Sequence, residues 1–264
     1  MNLPSIIKGI LQTPNLWKGS ELLNIRQFII DGSDFQLEPI SSKLRLGMFV
    51  EQCVFQSLEN NSNYNVLAKN IQIIDNNLTL GELDCILKHN SSIVHLEIAY
   101  KFYLFDKTHN KNELHCWIGP NRKDSLIEKI NKLQEKQFPL LQHPKTVEKL
   151  NILKIPTEQI EQQVCFKAQL FVHFSKISKI IPIINFDCIA GFYVNWKELV
   201  LFKAYKFYIP TKLDWLVVPK TDVTWLSYEH FIMEVNSLLH KKLAPLCWMK
   251  KNNGEMRKFF VVWW

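Results

Sequence analysis

Residues 66–105 read VLAKNIQIIDNNLTLGELDCILKHNSSIVHLEIAYKFYLF, and this stretch decides the fold. Three runs rich in Ile, Leu, Val, Phe and Tyr are divided by two polar clusters, the pattern of strands at 66–74, 78–87 and 93–105. Asp75-Asn76-Asn77 supplies the chemistry of a tight hairpin turn, and His89-Asn90-Ser91-Ser92 supplies that of a second. Glu82, Asp84, Glu97 and Lys101 interrupt segments otherwise suited to burial.

Outward from this meander the period changes. Leu44, Met48, Val54 or Phe55, and Leu58 recur at helical spacing, giving a helix over about 42–60 with Ser41 or Ser42 as its N-cap. Residues 3–12 read as a short helix, and 17–41, with Gly32, Ser33 and Asp34, read as a loop. LHCWI (114–118) reads as a fourth strand closed by Gly119-Pro120, followed by a helix through Leu126, Ile130 and Leu133 that ends near Pro139. Farther on, helices are expected at 145–152 and 227–243. Strands are expected at 164–174, 189–196, 200–209 and 214–218, with a hairpin around Asn252-Asn253-Gly254. The pattern is α/β (α+β): a mixed central sheet flanked by helices, with a further α+β region behind it.

The 264 residues suffice for one large domain or two modest ones. A net charge of +7 favours anionic partners, but only Arg26, Arg45, Arg122 and Arg257 offer bidentate forks. The six cysteines are scattered, without a CxxC pair, and read as reduced, buried thiols. The opening MNLPSIIKGILQ does not resemble a secretory signal. The most apolar window, 180–196, is broken by Pro182, Asn185 and Asp187, so no membrane span is expected and a cytoplasmic location is. Seven of the eight tryptophans, Trp117, Trp196, Trp215, Trp225, Trp248, Trp263 and Trp264, are base-stacking candidates on paper, with core packing the better reading for most. No phosphate-binding glycine loop, GxSxG or HExxH is present.

Side chains alternate faces along a strand, so Glu82 and Asp84 share one face, as do His95, Glu97, Ala99 and Lys101. Pairing through the 89–92 turn brings Asp84 opposite Glu97. Two adjacent carboxylates suit a hard divalent cation, which takes one or two of them and leaves other positions to water and phosphate. Alternatively, each acid is a solvated outward side chain. His95 reads as packing beside the acids, since imidazole suits Zn²⁺ more than Mg²⁺.

Asp84, Glu97 and Lys101, with Glu51 on the preceding helix, resemble the PD-(D/E)XK nuclease superfamily. LGMFVE (46–51), LTLGELD (78–84), HLEIAYKFYL (95–104), WIGPNRKDSLIEKI (117–130) and the terminal MRKFFVVWW together resemble one bacterial branch, domain of unknown function 1853, DUF1853. The resemblance implies a restriction-endonuclease-like core over 1–150. Residues 151–264 would be a C-terminal α+β region, separate or part of the same compact domain. It further implies Mg²⁺- or Mn²⁺-dependent hydrolysis of phosphodiester bonds in nucleic acid, with DNA preferred. Asp84 and Glu97 would be the metal ligands, Lys101 the catalytic lysine and Glu51 an accessory acid. The usual spacing would put the lysine at 99, where this chain has Ala99. Lys101 keeps the face but stands roughly 13 Å along from Glu97, so either a bulge near Ala99 or Lys129 on the next helix has to make up the difference. Two alternatives stand beside hydrolysis: a nuclease fold that binds nucleic acid or acts as a scaffold without cutting, and an interaction protein using its aromatic-rich C-terminal half. Oligomeric state, a homo-oligomer included, stays open.

Overall fold

The computed structural model describes residues 3–19, 21–30, 38–109, 112–175 and 184–264. Its helices are α1 (Leu3–Gln12), α2 (Leu46–Glu59), α3 (Leu126–Lys132), α4 (Pro144–Ile152) and α5 (Tyr228–His240). The strands before α3 are β1 (Glu21–Leu22), β2 (Ile25–Gln27), β3 (Tyr64–Asp75), β4 (Leu78–His89), β5 (Ser92–Phe105) and β6 (Trp117–Ile118). Those after α4 are β7 (Ile160–His173), β8 (Ile189–Asn195), β9 (Lys206–Tyr208), β10 (Leu246–Lys250) and β11 (Met256–Val262). The chain divides into two compact units. The first comprises Asn15–Tyr100 and Glu128–Lys167, the second Met1–Pro14, Lys101–Ile127 and Ala168–Trp264. Each carries both parallel and antiparallel strand pairs, with helices packed on them.

In the first unit β3, β4 and β5 form antiparallel hairpins, as the turns dictate. Asn76 and Asn77 have φ of 47° and 64°, the left-handed pair that a two-residue turn needs when it joins twisted strands. Asn90, at φ 55°, does the same in the second hairpin, where His89 pairs with Ser92. Strand β2 runs parallel to β7 and antiparallel to β1, so the expected loop at 17–41 carries two short strands. The edge of β7 supplied backbone partners that the local sequence does not reveal. Gly32, Ser33 and Asp34, and residues 180–183 of the apolar window, lie outside the described residues. Ile71, Ile73, Leu83, Ile86, Leu150 and Ile155 form one core cluster. Burying each such side chain stabilises by roughly 1.5–3 kcal/mol.

Helix α2 starts at Leu46, four residues later than expected, with Arg45 at its N-cap and no side-chain cap. The reason is local. Ser41 closes a preceding turn, its carbonyl accepting from Leu44 N–H and its hydroxyl from Lys43 N–H. Helix α3 does not run on unbroken to Pro139 but passes into a π-helical turn, Leu133–Gln137, in which Phe138 N–H reaches back to the Leu133 carbonyl at 2.9 Å. Such a turn admits an extra residue and re-aims the side chains that follow.

In the second unit β8 lies parallel to both β7 and β11, while β10 is antiparallel to β11 and β9. Gly191 on β8 is required there. A Cβ at that position would stand 2.1 Å from the Lys258 carbonyl oxygen. Helix α5, capped by the Ser227 hydroxyl, buries Phe231, Val235 and Leu239. The expected strand at 214–218 is a 3-10 turn, Leu213–Leu216, because Thr211 Oγ1 accepts the Asp214 N–H and starts a helical turn. Of 200–209 only Lys206–Tyr208 is strand. Upstream, Asn195 and Glu198 form a capping box that commits Trp196–Phe202 to 3-10 geometry. LHCWI is likewise 3-10 up to Cys116, with Trp117–Ile118 pairing with β5.

All six cysteines are free and buried. Trp117 and Trp248 are fully buried core residues, and Trp196 is exposed. Among the described residues no helix is long and apolar enough to cross a membrane.

Candidate acidic site

Four acids of the first unit lie on three elements: Glu51 on α2, Glu82 and Asp84 on β4, and Glu97 on β5. The β4–β5 ladder runs from His89↔Ser92 to Cys85↔Leu96, and the next position carries Asp84 and Glu97. Alternation along the two strands therefore sets this pair. Asp84 Oδ2 accepts the Ile98 N–H at 2.8 Å, a side chain taking a backbone donor of the neighbouring strand.

The electrostatics are those of crowded negative charge. Burial pushes the Asp84 carboxyl up to about 8, and Glu97 adds to the shift. The Ile98 N–H pulls it back, Glu51 raises it, and Lys129 lowers it. Glu51 is raised to about 7, first by burial and then by Glu82 and Glu97. Two carboxyls thus hold protons near neutrality because ionising them would add charge to a confined, poorly solvated cluster.

Glu97 is fully buried and sits inside a network. One of its oxygens faces His95 Nε2 at 3.1 Å, and the other accepts from the Gln137 amide nitrogen. The Gln137 amide oxygen in turn accepts from Lys129 Nζ at 2.7 Å. On the far side of the imidazole, Gln162 Nε2 donates to the Phe138 carbonyl at 2.7 Å and points at His95 Nδ1 at 3.3 Å. An amide nitrogen only donates, so Nδ1 is the acceptor and the proton sits on Nε2, directed at Glu97. The π-turn after α3 delivers Gln137 to this place.

The sequence-derived residues thus separate. Asp84, Glu97 and Glu51 interact as one charged group. Lys101 belongs to the second unit, where its ammonium pairs with Asp124 at 2.8 Å, both partly exposed. Lys129 is the cation whose charge acts on Asp84. His95 packs beside the acids as expected and hydrogen-bonds Glu97. Sequence reasoning passed over Gln137 and Gln162. Neither has a motif, and only the π-turn and the end of β7 bring them in.

The donor set fits a hard cation better than a soft one. It offers carboxylate oxygens and no thiolate, and Mg²⁺ or Mn²⁺ needs only one or two of them. Among the described residues no three His, Cys, Asp or Glu side chains are gathered in ligating geometry, which argues against a closed, protein-only cage.

A family model described as Domain of unknown function (DUF1853) matches residues 33–262. No curated protein and no solved structure matches the chain.

Proposed function

The chain belongs to the DUF1853 family, a domain of unknown function, and on that footing we propose that it is a divalent-cation-dependent phosphodiesterase acting on nucleic acid, DNA in the first instance. In this reading the first unit carries a restriction-endonuclease-like, PD-(D/E)XK-type core. The observation that carries the proposal is the confinement of Glu51, Asp84 and Glu97 in one cluster where burial first, and the neighbouring acids second, hold two carboxyls protonated near neutrality. A doubly charged cation relieves that crowding; an apolar or anionic ligand does not.

Asp84 and Glu97 would hold the ion, with Glu51 beside them as an accessory acid. A Mg²⁺ or Mn²⁺ bound there supplies Lewis acidity at the scissile phosphate and a lowered water pKa. Glu51, raised to about 7, is suited to take and return a proton at physiological pH. Gln137 and His95 fix the orientation of Glu97. Lys129 fills the cationic role that the resemblance gave to Lys101, because its charge reaches Asp84 while Lys101 is paired with Asp124.

The test couples cleavage to proton release. Mn²⁺ titrated into the protein at neutral pH should displace protons, since Asp84 must ionise to ligate. Single- and double-stranded DNA should be nicked in Mg²⁺ or Mn²⁺, and Asp84→Asn should reduce cleavage at least ~100-fold while still binding DNA. Undiminished cleavage by Asp84→Asn, with its Mn²⁺ binding also intact, sinks the assignment.

A second reading has its own support. Glu97, Asp84 and Lys101 each already have a protein partner, as in a nuclease fold that binds without cutting. Salt-dependent DNA binding with no nicking in either metal, and no Mn²⁺-linked proton release, selects this one.

A further inference from the structure

The terminal strand β11 carries a lysine that the acidic site does not use. Lys258 is only 7% exposed. Its ammonium donates to Gln169 Oε1 at 2.8 Å and to the Trp215 carbonyl oxygen at 2.7 Å, and the Gln169 amide nitrogen braces that same carbonyl at 3.2 Å. Both acceptors are neutral. Among the described residues none of the ion pairs includes Lys258. An ammonium has three donors, and the structure gives two of them acceptors. Buried charges are ordinarily paired, since taking an ion out of water is expensive. Burial alone draws the Lys258 pKa down to about 7.

Lys258 and Gln169 line a cavity of about 350 Å³ within the second unit, a volume in the range of small-molecule sites. Its wall is built by close backbone approach. A Cβ on Gly9 would meet the Leu216 carbonyl oxygen at 2.1 Å, so α1 lies directly against the Leu213–Leu216 turn. Leu216, Val217, Val218 and Pro219 give the cavity an apolar side, while Arg257 and Asp187 are its exposed charged groups. Arg257 is already held by Glu255.

We propose that this cavity binds a small organic carboxylate, with its apolar body against Leu216, Val217 and Pro219 and its single charge on the Lys258 ammonium. One negative charge meets one uncompensated positive charge. A dianionic phosphate would leave a second charge against apolar walls. Protonation and binding are linked, because only the ammonium form offers the charge.

The experiment is calorimetric titration of the whole protein with hexanoate, at pH values on either side of 7. The expected result is saturable one-to-one binding at acid pH, weakening about tenfold for each pH unit above the Lys258 pKa of about 7, with proton uptake on the alkaline side. Lys258→Met keeps the bulk of the stem and is expected to abolish binding. Hexan-1-ol, with the same tail and no charge, should not compete. Inorganic phosphate should bind more weakly than hexanoate. Should the Met variant fail to fold, the pH series on the unaltered protein decides. Hexanoate binding that is absent at every pH, indifferent to pH, retained in folded Lys258→Met, matched by the alcohol or surpassed by phosphate overturns the assignment.

Discussion

The acidic cluster of the first unit and the lone lysine of the second are solved by the same physics with opposite sign. In the cluster, burial and mutual repulsion push Asp84 to about 8 and Glu51 to about 7, so the protein keeps protons that water would remove. At Lys258, burial without a counter-ion pulls the ammonium down to about 7, so the protein sheds a proton that water would leave in place. A core that buried charge for stability alone would have paired each group with its opposite. Instead, one place carries surplus negative charge and the other an uncompensated positive one. Each is a standing electrostatic preference for a ligand of the other sign.

The comparison is broken most severely at Glu97. Its carboxylate is fully buried between His95 and Gln137, so Glu97→Ala leaves one buried and one half-buried donor without this acceptor and opens a void. A loss of about 3–5 kcal/mol in urea unfolding is expected. Glu97→Gln keeps the volume and should lose less. A loss under about 1 kcal/mol for the alanine variant means that the network does not hold the strand pair in place.

The two sites also impose opposite pH slopes. For Asp84 and Glu51 the folded pKa lies above the unfolded value, so the folded state binds more protons across the interval from about 4 to about 8. Stability is then greatest below the unfolded pKa and falls as pH rises through that window. For Lys258 the folded pKa of about 7 lies below the ordinary lysine value of 10.5, so stability rises with pH over that span. Asp84→Asn keeps an oxygen for the Ile98 N–H while removing one charge. It should flatten the acid-side slope and stabilise the metal-free protein by about 1–3 kcal/mol near pH 8. Saturating Mn²⁺ should flatten the same slope in the unaltered chain. An undiminished slope in Asp84→Asn removes that residue from the cluster's titration.

Lys258→Met should alter only the alkaline limb. The loss of a desolvated charge is offset by the loss of its hydrogen bonds to Gln169 and the Trp215 carbonyl, leaving a net change within about 1 kcal/mol at pH 7. What moves is the slope above pH 7, which should vanish. A persistent alkaline rise assigns that proton to another group.

These two places were legible to different degrees. Asp84 and Glu97 could be brought together from the sequence because strand period and a short turn fix which residues meet, and the ladder ending at Cys85↔Leu96 agrees. The Asn76-Asn77 turn was legible for a similar reason: few residue types tolerate two successive positive φ values. Gln137 was not legible, since a π-turn shows no signature in the spacing of Leu126, Ile130 and Leu133. The start of α2 was misplaced because Ser41 and Ser42 have cap chemistry wherever they occur, and here Ser41 serves a turn. Lys258 was readable and passed over. It shares strand parity with Phe260 and Val262, both fully buried, and a lysine on such a face has either a partner or a purpose.

The smallest expected effect separates the two lysines. Lys101 and Asp124 form a pair with side chains 34% and 42% exposed, so Lys101→Ala should cost less than about 1 kcal/mol. It should leave Mn²⁺-linked proton release unchanged. Lys129→Ala removes a charge that lowers the Asp84 pKa and a donor to Gln137. It should therefore raise the pH at which Asp84 ionises, and weaken Mn²⁺ binding at neutral pH through that shift. Strand parity favours Lys101 and charge proximity favours Lys129, so the variant that moves the metal-linked proton count identifies which cation serves the acidic site. If Lys101→Ala is the one that does so, Lys129 and its Gln137 bond are only structural, and the cationic role returns to the strand.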